Sequence, residues 1–146
     1  MKKFVFSLEK VLNLKQQLLD VQVNEMMLLQ ERLKQIVTEI QQLNETFHKY
    51  NNELNEQMRT GIGPHEVMVY KMYFHDITQK TNGCLRRKEE VERKIFLKKE
   101  EMIALKTDIS GLERLEEKQR EEYNALLHKQ QELEVEEYVN RTCPAS

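Results

Sequence analysis

The stretch Thr60-Gly61-Ile62-Gly63-Pro64-His65 decides the fold. It holds two of the four glycines and one of the two prolines in 146 residues. Gly61 suits the left-handed position that closes a helix, and Pro64 suits the first turn of the next one. Glu66 follows inside that turn, where the positive helix end favours an acid. On either side the sequence is helical in pattern and free of comparable breaks. The stretch therefore predicts a hairpin, with helix one over about 7–59, the turn at 60–65 and helix two over about 64–140. The whole chain, 1–146, reads as a single all-α domain, a two-helix antiparallel coiled coil whose second helix is longer.

Outward from the turn, apolar residues repeat every seven positions. In helix one the a positions are Val5, Leu12, Leu19, Met26, Leu33, Ile40, Phe47 and Leu54. The d positions are Leu8, Lys15, Gln22, Leu29, Ile36, Leu43, Tyr50 and Gln57. In helix two, Val67, Phe74, Ile95, Met102, Ile109 and Tyr123 fall at a, and Tyr70, Ile77, Cys84, Val91, Leu105, Leu112, Leu126 and Leu133 at d. A repeat held this long marks a coiled coil. Polar interruptions such as Thr81, Lys88 and Lys98 cost stability while fixing register. Ser7 fits the N-cap of helix one, with Phe6 and Val11 as the apolar pair around it. A turn centred near Gly61 and Ile62 sets Tyr50 opposite Tyr73 and Leu8 opposite Leu115.

Composition narrows the function. A chain that is 33 % charged and 7 % aromatic buries a seam rather than a globular core. Its net charge of −2 gives no general attraction to nucleic acid or membrane. The charge is polarised along the chain: residues 84–106 carry eight basic and five acidic side chains, residues 107–140 four and ten. Glu9, Lys10 and Lys15 interrupt any apolar leader, and no run approaches the ~20 apolar residues of a membrane span. A cytoplasmic protein is expected, with Cys84 and Cys143 as reduced thiols.

No phosphate-binding loop, nucleophile elbow or metalloprotease motif is present, and no CxxC. His48 and His75 approach one another across the predicted hairpin, but at outward b positions with no further ligand, so no metal is expected. The run Arg86-Arg87-Lys88 with Arg93, Lys94, Lys98 and Lys99 is interleaved with acids and lacks an aromatic platform. No enzyme, cofactor, small-molecule substrate or nucleic-acid partner is expected.

The informative feature is a second apolar stripe. Val11, Leu14, Leu18, Val21 and Leu28 recur at helical spacing at g and c, outside the seam. Phe96, Leu97 and Ile103 do the same at b and c of helix two. Apolar surface beyond what two helices bury marks either a partner face or self-association. The turn end adds Met58, Met68, Tyr70, Met72, Tyr73 and Phe74, part seam and part adaptable contact surface. From about Arg120 to Asn140 helix two outruns helix one, leaving Tyr123, Leu126, Leu127 and Leu133 without a partner in the chain.

The opening Phe4-Val5-Phe6-Ser7-Leu8-Glu9-Lys10-Val11-Leu12-Asn13-Leu14-Lys15 resembles the start of the FliJ family of flagellar type III export proteins. Met58-Arg59-Thr60-Gly61-Ile62-Gly63 with Tyr70 and Phe74 is similar to that family's turn, and Leu112-Glu113-Arg114-Leu115-Glu116-Glu117-Lys118-Gln119 to its later part. The resemblance covers nearly the whole chain. It implies a non-enzymatic antiparallel hairpin, similar to the stalk of the rotary ATP synthase gamma subunit and a monomer when free. It further implies three partners: a hexameric FliI-like export ATPase, an FlhA-like export gate membrane protein, and export chaperones. The implied location is the cytoplasm, peripheral to the inner membrane at the flagellar base.

Under the resemblance, Val11, Leu14, Leu18, Val21, Leu28, Tyr123, Leu126, Leu127 and Leu133 face the ATPase ring or a chaperone. The family's gate-binding positions map near Glu39, Leu43, Thr46, Tyr50, Tyr73, Ile77, Lys80 and Cys84. The match holds at Leu43 and Tyr50, is conservative at Tyr73 and Ile77, and departs at the other four. The heptad places Leu43, Tyr50, Ile77 and Cys84 in the seam as well. The alternatives are the equivalent stalk of a virulence type III secretion system and a structural homodimeric coiled coil.

Overall fold

The computed structural model describes residues 2–142; Cys143 lies outside the described residues. The chain is an all-α helical hairpin, with α1 over Glu9–Thr60 and the longer α2 over Pro64–Thr142. The turn forms as its residues dictate. Gly61 has φ +90°, a conformation that a side chain resists. Its N–H donates to the Gln57 carbonyl at 2.9 Å, and the Thr60 hydroxyl donates to the same oxygen at 3.0 Å. That pattern is the single-bond left-handed cap. Gly63 then starts α2, its carbonyl accepting from the Glu66 and Val67 amides at 3.2 and 3.3 Å. Pro64 occupies the first helical position, where its missing N–H costs nothing.

The chain divides into two compact units, one formed by the chain up to Val21 with the chain from Met102 onward, the other by Gln22–Glu101. In the Gln22–Glu101 unit, Met26, Ile36, Ile77, Cys84, Val91 and Ile95 are buried, every one at a predicted a or d position. Phe47 packs on Phe74 with centroids 5.0 Å apart, and Tyr50 stacks on Tyr73 at 5.2 Å, as the turn-centred register predicts. Charged and polar seam residues are accommodated individually. The Lys98 ammonium lies 2.5 Å from Glu25 on α1 and 3.3 Å from Glu101. The Thr81 hydroxyl donates back to the Ile77 carbonyl at 2.8 Å. The Gln22 side-chain oxygen is buried with no hydrogen-bond partner, an arrangement that typically costs about 1–3 kcal/mol. Cys84 is a free, fully buried thiol whose sulfur accepts from Arg87 at 3.1 Å.

In the other unit the start of α1 runs antiparallel to α2. Phe6, Leu12 and Ile109 form the buried centre, with Phe4, Leu8, Leu19, Leu105 and Leu112 packed around it. The seam lysine Lys15 bonds Asp108 across the helices at 2.9 Å. Several expectations are corrected here. The helix starts at Glu9 rather than near Ser7, and the Leu8 carbonyl accepts the Leu12 amide at 2.9 Å. Residues before the helix do not follow its period, so Val5 is 73 % exposed while Phe6 is 4 % exposed. Phe6 packs on Leu12 and Ile109 rather than stapling to Val11, which is exposed. Leu8 joins the Leu112 cluster, and Leu115, one turn further on, is 36 % exposed.

The unpartnered part of α2 is also shorter than expected. The lead before α1 reaches back over Arg120 and Tyr123. The Tyr123 hydroxyl donates to the Lys2 carbonyl, the Phe4 ring lies 5.6 Å from the Tyr123 ring, and the Arg120 guanidinium sits 5.0 Å over Phe4.

Candidate functional site

In the unit containing the start of α1, Val11, Leu14, Leu18 and Val21 are all exposed, with Leu14 59 % accessible. They are exposed because Leu12 and Leu19 turn the seam face inward, and helical spacing puts their neighbours on the other side. Four branched apolar side chains at positions 11, 14, 18 and 21 form one continuous helical stripe. Ile103 is exposed in the same unit. In the Gln22–Glu101 unit, Leu28 is exposed, as are Phe96 and Leu97. Met27 beside Leu28 is exposed too and lies outside the predicted stripe; two adjacent apolar residues off the seam were its signal.

The late part of α2 divides. Leu126 and Leu133 are exposed as expected, and Leu127 is half-buried. Tyr123 is half-buried against Phe4 and already has a partner within the chain. Val135, Tyr138 and Val139 add exposed apolar surface that a seam-based reading passes over, since none of them lies at a or d.

The gate-type residues lie in the Gln22–Glu101 unit and divide between seam and surface. Ile77 is 7 % exposed, so its side chain is held in the seam. Leu43 is half-buried and lines a shallow groove with Ile40, Phe47 and Ile77. Tyr50 is half-buried, and Tyr73 is 47 % exposed. Of the four, Tyr73 offers the most surface. Tyr70 completes a tyrosine cluster, 6.3 Å from Tyr73 and 6.5 Å from Tyr50. Loss of solvent raises the Tyr70 phenol above its ordinary 10.0, and the Glu53 and Glu66 carboxylates push it the same way. The sticky turn end thus sorts itself: Met58, Met68, Met72 and Tyr73 are exposed, while Tyr70 and Phe74 are half-buried.

Among the described residues, no group of three or more His, Cys, Asp or Glu is placed to hold a metal ion. No helix there is long and apolar enough to cross a membrane. The surfaces that stand out are an apolar stripe on α1 and an aromatic cluster at the turn. A family model described as Flagellar FliJ protein matches residues 4–143. No curated protein and no solved structure matches the chain.

Proposed function

The chain belongs to the flagellar FliJ protein family, which makes it a flagellar export-associated protein, and on that premise we propose that it is a non-enzymatic adaptor of the export apparatus. It links the hexameric export ATPase to the export gate and binds substrate chaperones. It works in the cytoplasm, held peripherally at the inner membrane by these contacts, and needs no cofactor.

The observation that carries this reading is the stripe Val11, Leu14, Leu18 and Val21, exposed beside a seam that is already packed. Apolar surface left outside a complete seam contributes nothing to the hairpin and is available to a partner. The ATPase ring takes that stripe together with Leu28, Leu126, Leu127 and Leu133. The tyrosine face at the turn, with Leu43, Tyr50 and Tyr73, takes the gate. A stalk of a virulence secretion system is less well supported, because the matching family is flagellar.

The test is a variant with Leu14→Ser, Leu18→Ser and Val21→Ser. Each exposed substitution should change stability by no more than ~0.5 kcal/mol. Co-purification with the hexameric ATPase should be lost while the melting temperature holds and light scattering reports a monomer. A wild-type dimer that the triple variant abolishes would instead assign the stripe to self-association.

A further inference from the structure

Near the turn, three tyrosines stand in mutual contact within one unit. The Tyr50 and Tyr73 rings are nearly parallel, 22° apart with centroids at 5.2 Å. The Tyr70 ring crosses them, at 89° to Tyr73 and 68° to Tyr50. Tyr70 and Tyr73 line an open depression together with Glu66, Gln57 and Ile62. Ring faces carry negative charge density, and two tyrosines set at a wide angle to one another line this one depression. Glu66 adds a full negative charge at the rim, and Glu53 is close enough to act on Tyr70 electrostatically.

This combination of π surface and carboxylate suits a cation. Among the described residues, the chain supplies none: its one cation over an aromatic face is Arg120 over Phe4, in the other unit. We infer that the depression bounded by Tyr70, Tyr73 and Glu66 receives an arginine side chain presented by a protein partner. Arginine fits better than lysine, since its planar guanidinium stacks on a ring while its edge donates N–H bonds to a carboxylate, and it sheds water more readily. The Gln57 side chain on the same rim hydrogen-bonds the Tyr70 phenol. The inference deepens the gate reading, on which it rests, by naming the chemistry that the tyrosine face recognises.

The experiment uses the full chain and the tripeptide Gly-Arg-Gly, with Gly-Lys-Gly and Gly-citrulline-Gly as controls at equal ionic strength. Side-chain NMR of the tyrosines reads the contact. The arginine peptide should move the Tyr70 and Tyr73 ring signals along a saturable course at tens of millimolar. Lysine should move them less and citrulline hardly at all. Glu66→Gln, an exposed change that leaves the helix intact, should weaken arginine binding about five-fold, as should Tyr70→Leu. Equal shifts from the citrulline peptide, or shifts unaltered by Glu66→Gln, would overturn the inference. A Tyr73→Ala variant tested separately against the gate protein keeps the two readings apart. Gate binding lost there, with no arginine effect, would leave the gate reading standing and remove the arginine.

Discussion

The Phe4 ring lies 5.6 Å from the Tyr123 ring, and the Arg120 guanidinium sits 5.0 Å over Phe4. Residues that precede α1 therefore pin a stretch of α2 that α1 itself does not cover. Phe4→Ala should cost about 1–2 kcal/mol, below the range for a fully buried phenylalanine because Phe4 is half-buried. Chemical denaturation measures the loss. Hydrogen exchange should rise around Tyr123 and stay unchanged between Ile36 and Val91. An unchanged Tyr123 region would mean that the lead contributes nothing to holding it.

The glycines separate by backbone geometry. Gly61→Ala forces a side chain into φ +90° and should lower stability by about 1–2 kcal/mol. Gly83→Ala should do the opposite. Gly83 lies inside α2 with nothing within 4 Å of where its Cβ would stand, and its φ is not positive. Helix propensity alone then favours alanine by up to about 1 kcal/mol. Thermal melts of the two variants should move in opposite directions from the parent.

Lys98 gives a signed pH dependence. The bond it donates to Glu25 raises its pKa above 10.5, outweighing the opposing effect of burial, with Glu101 adding to the rise. A cation whose pKa is higher in the folded state stabilises fully below the unfolded value, and that contribution disappears as pH climbs through the folded one. The loss falls above pH 10.5, so neutral-pH stability already contains the whole effect. Tyr70, also raised, loses its contribution above pH 10.0. Between pH 9 and 12 the parent should lose stability more steeply than Lys98→Met, with the difference confined to the alkaline limb. Parallel curves would show that the Lys98–Glu25 bond contributes nothing in solution.

The turn and the seam were legible because each rests on a local rule. Gly61 and Pro64 have fixed conformational demands, and the heptad put Ile36, Ile77, Cys84, Val91, Ile95 and Ile109 in the core, where they are. The register also set Tyr50 against Tyr73 correctly. The rule failed where the helix did. Extending the heptad to Val5 assumed helical geometry before Glu9, and in an irregular lead the side-chain direction has no period to read. Phe4 was thus missed as a packing residue, Phe6 was paired with Val11 instead of Leu12 and Ile109, and Tyr123 was assigned to an open surface that Phe4 covers. Among the gate-type positions, the heptad correctly marked Ile77 as a seam residue, but pattern alone did not reveal that Tyr70 and Tyr73 share a depression with Glu66.

The last stretch of α2 should divide sharply in its dynamics. Up to Tyr123 it has the lead residues Lys2 and Phe4 against it, and Leu127 is still half-buried. From His128 to Thr142 every residue is exposed, including Leu133, Val135, Tyr138 and Val139. Fifteen helical residues with no tertiary support are at the edge of what holds together in water. The i,i+4 pair between His128 and Glu132, at 3.1 Å, adds only a few tenths of a kcal/mol when the histidine is protonated. Amides near Tyr123 should therefore exchange slowly in the free protein and those beyond Leu133 fast, with the step near Leu127. Adding the export ATPase should slow the fast set if Leu126 and Leu133 dock on it. Slow exchange beyond Leu133 in the free monomer would show that something in the chain already covers this segment.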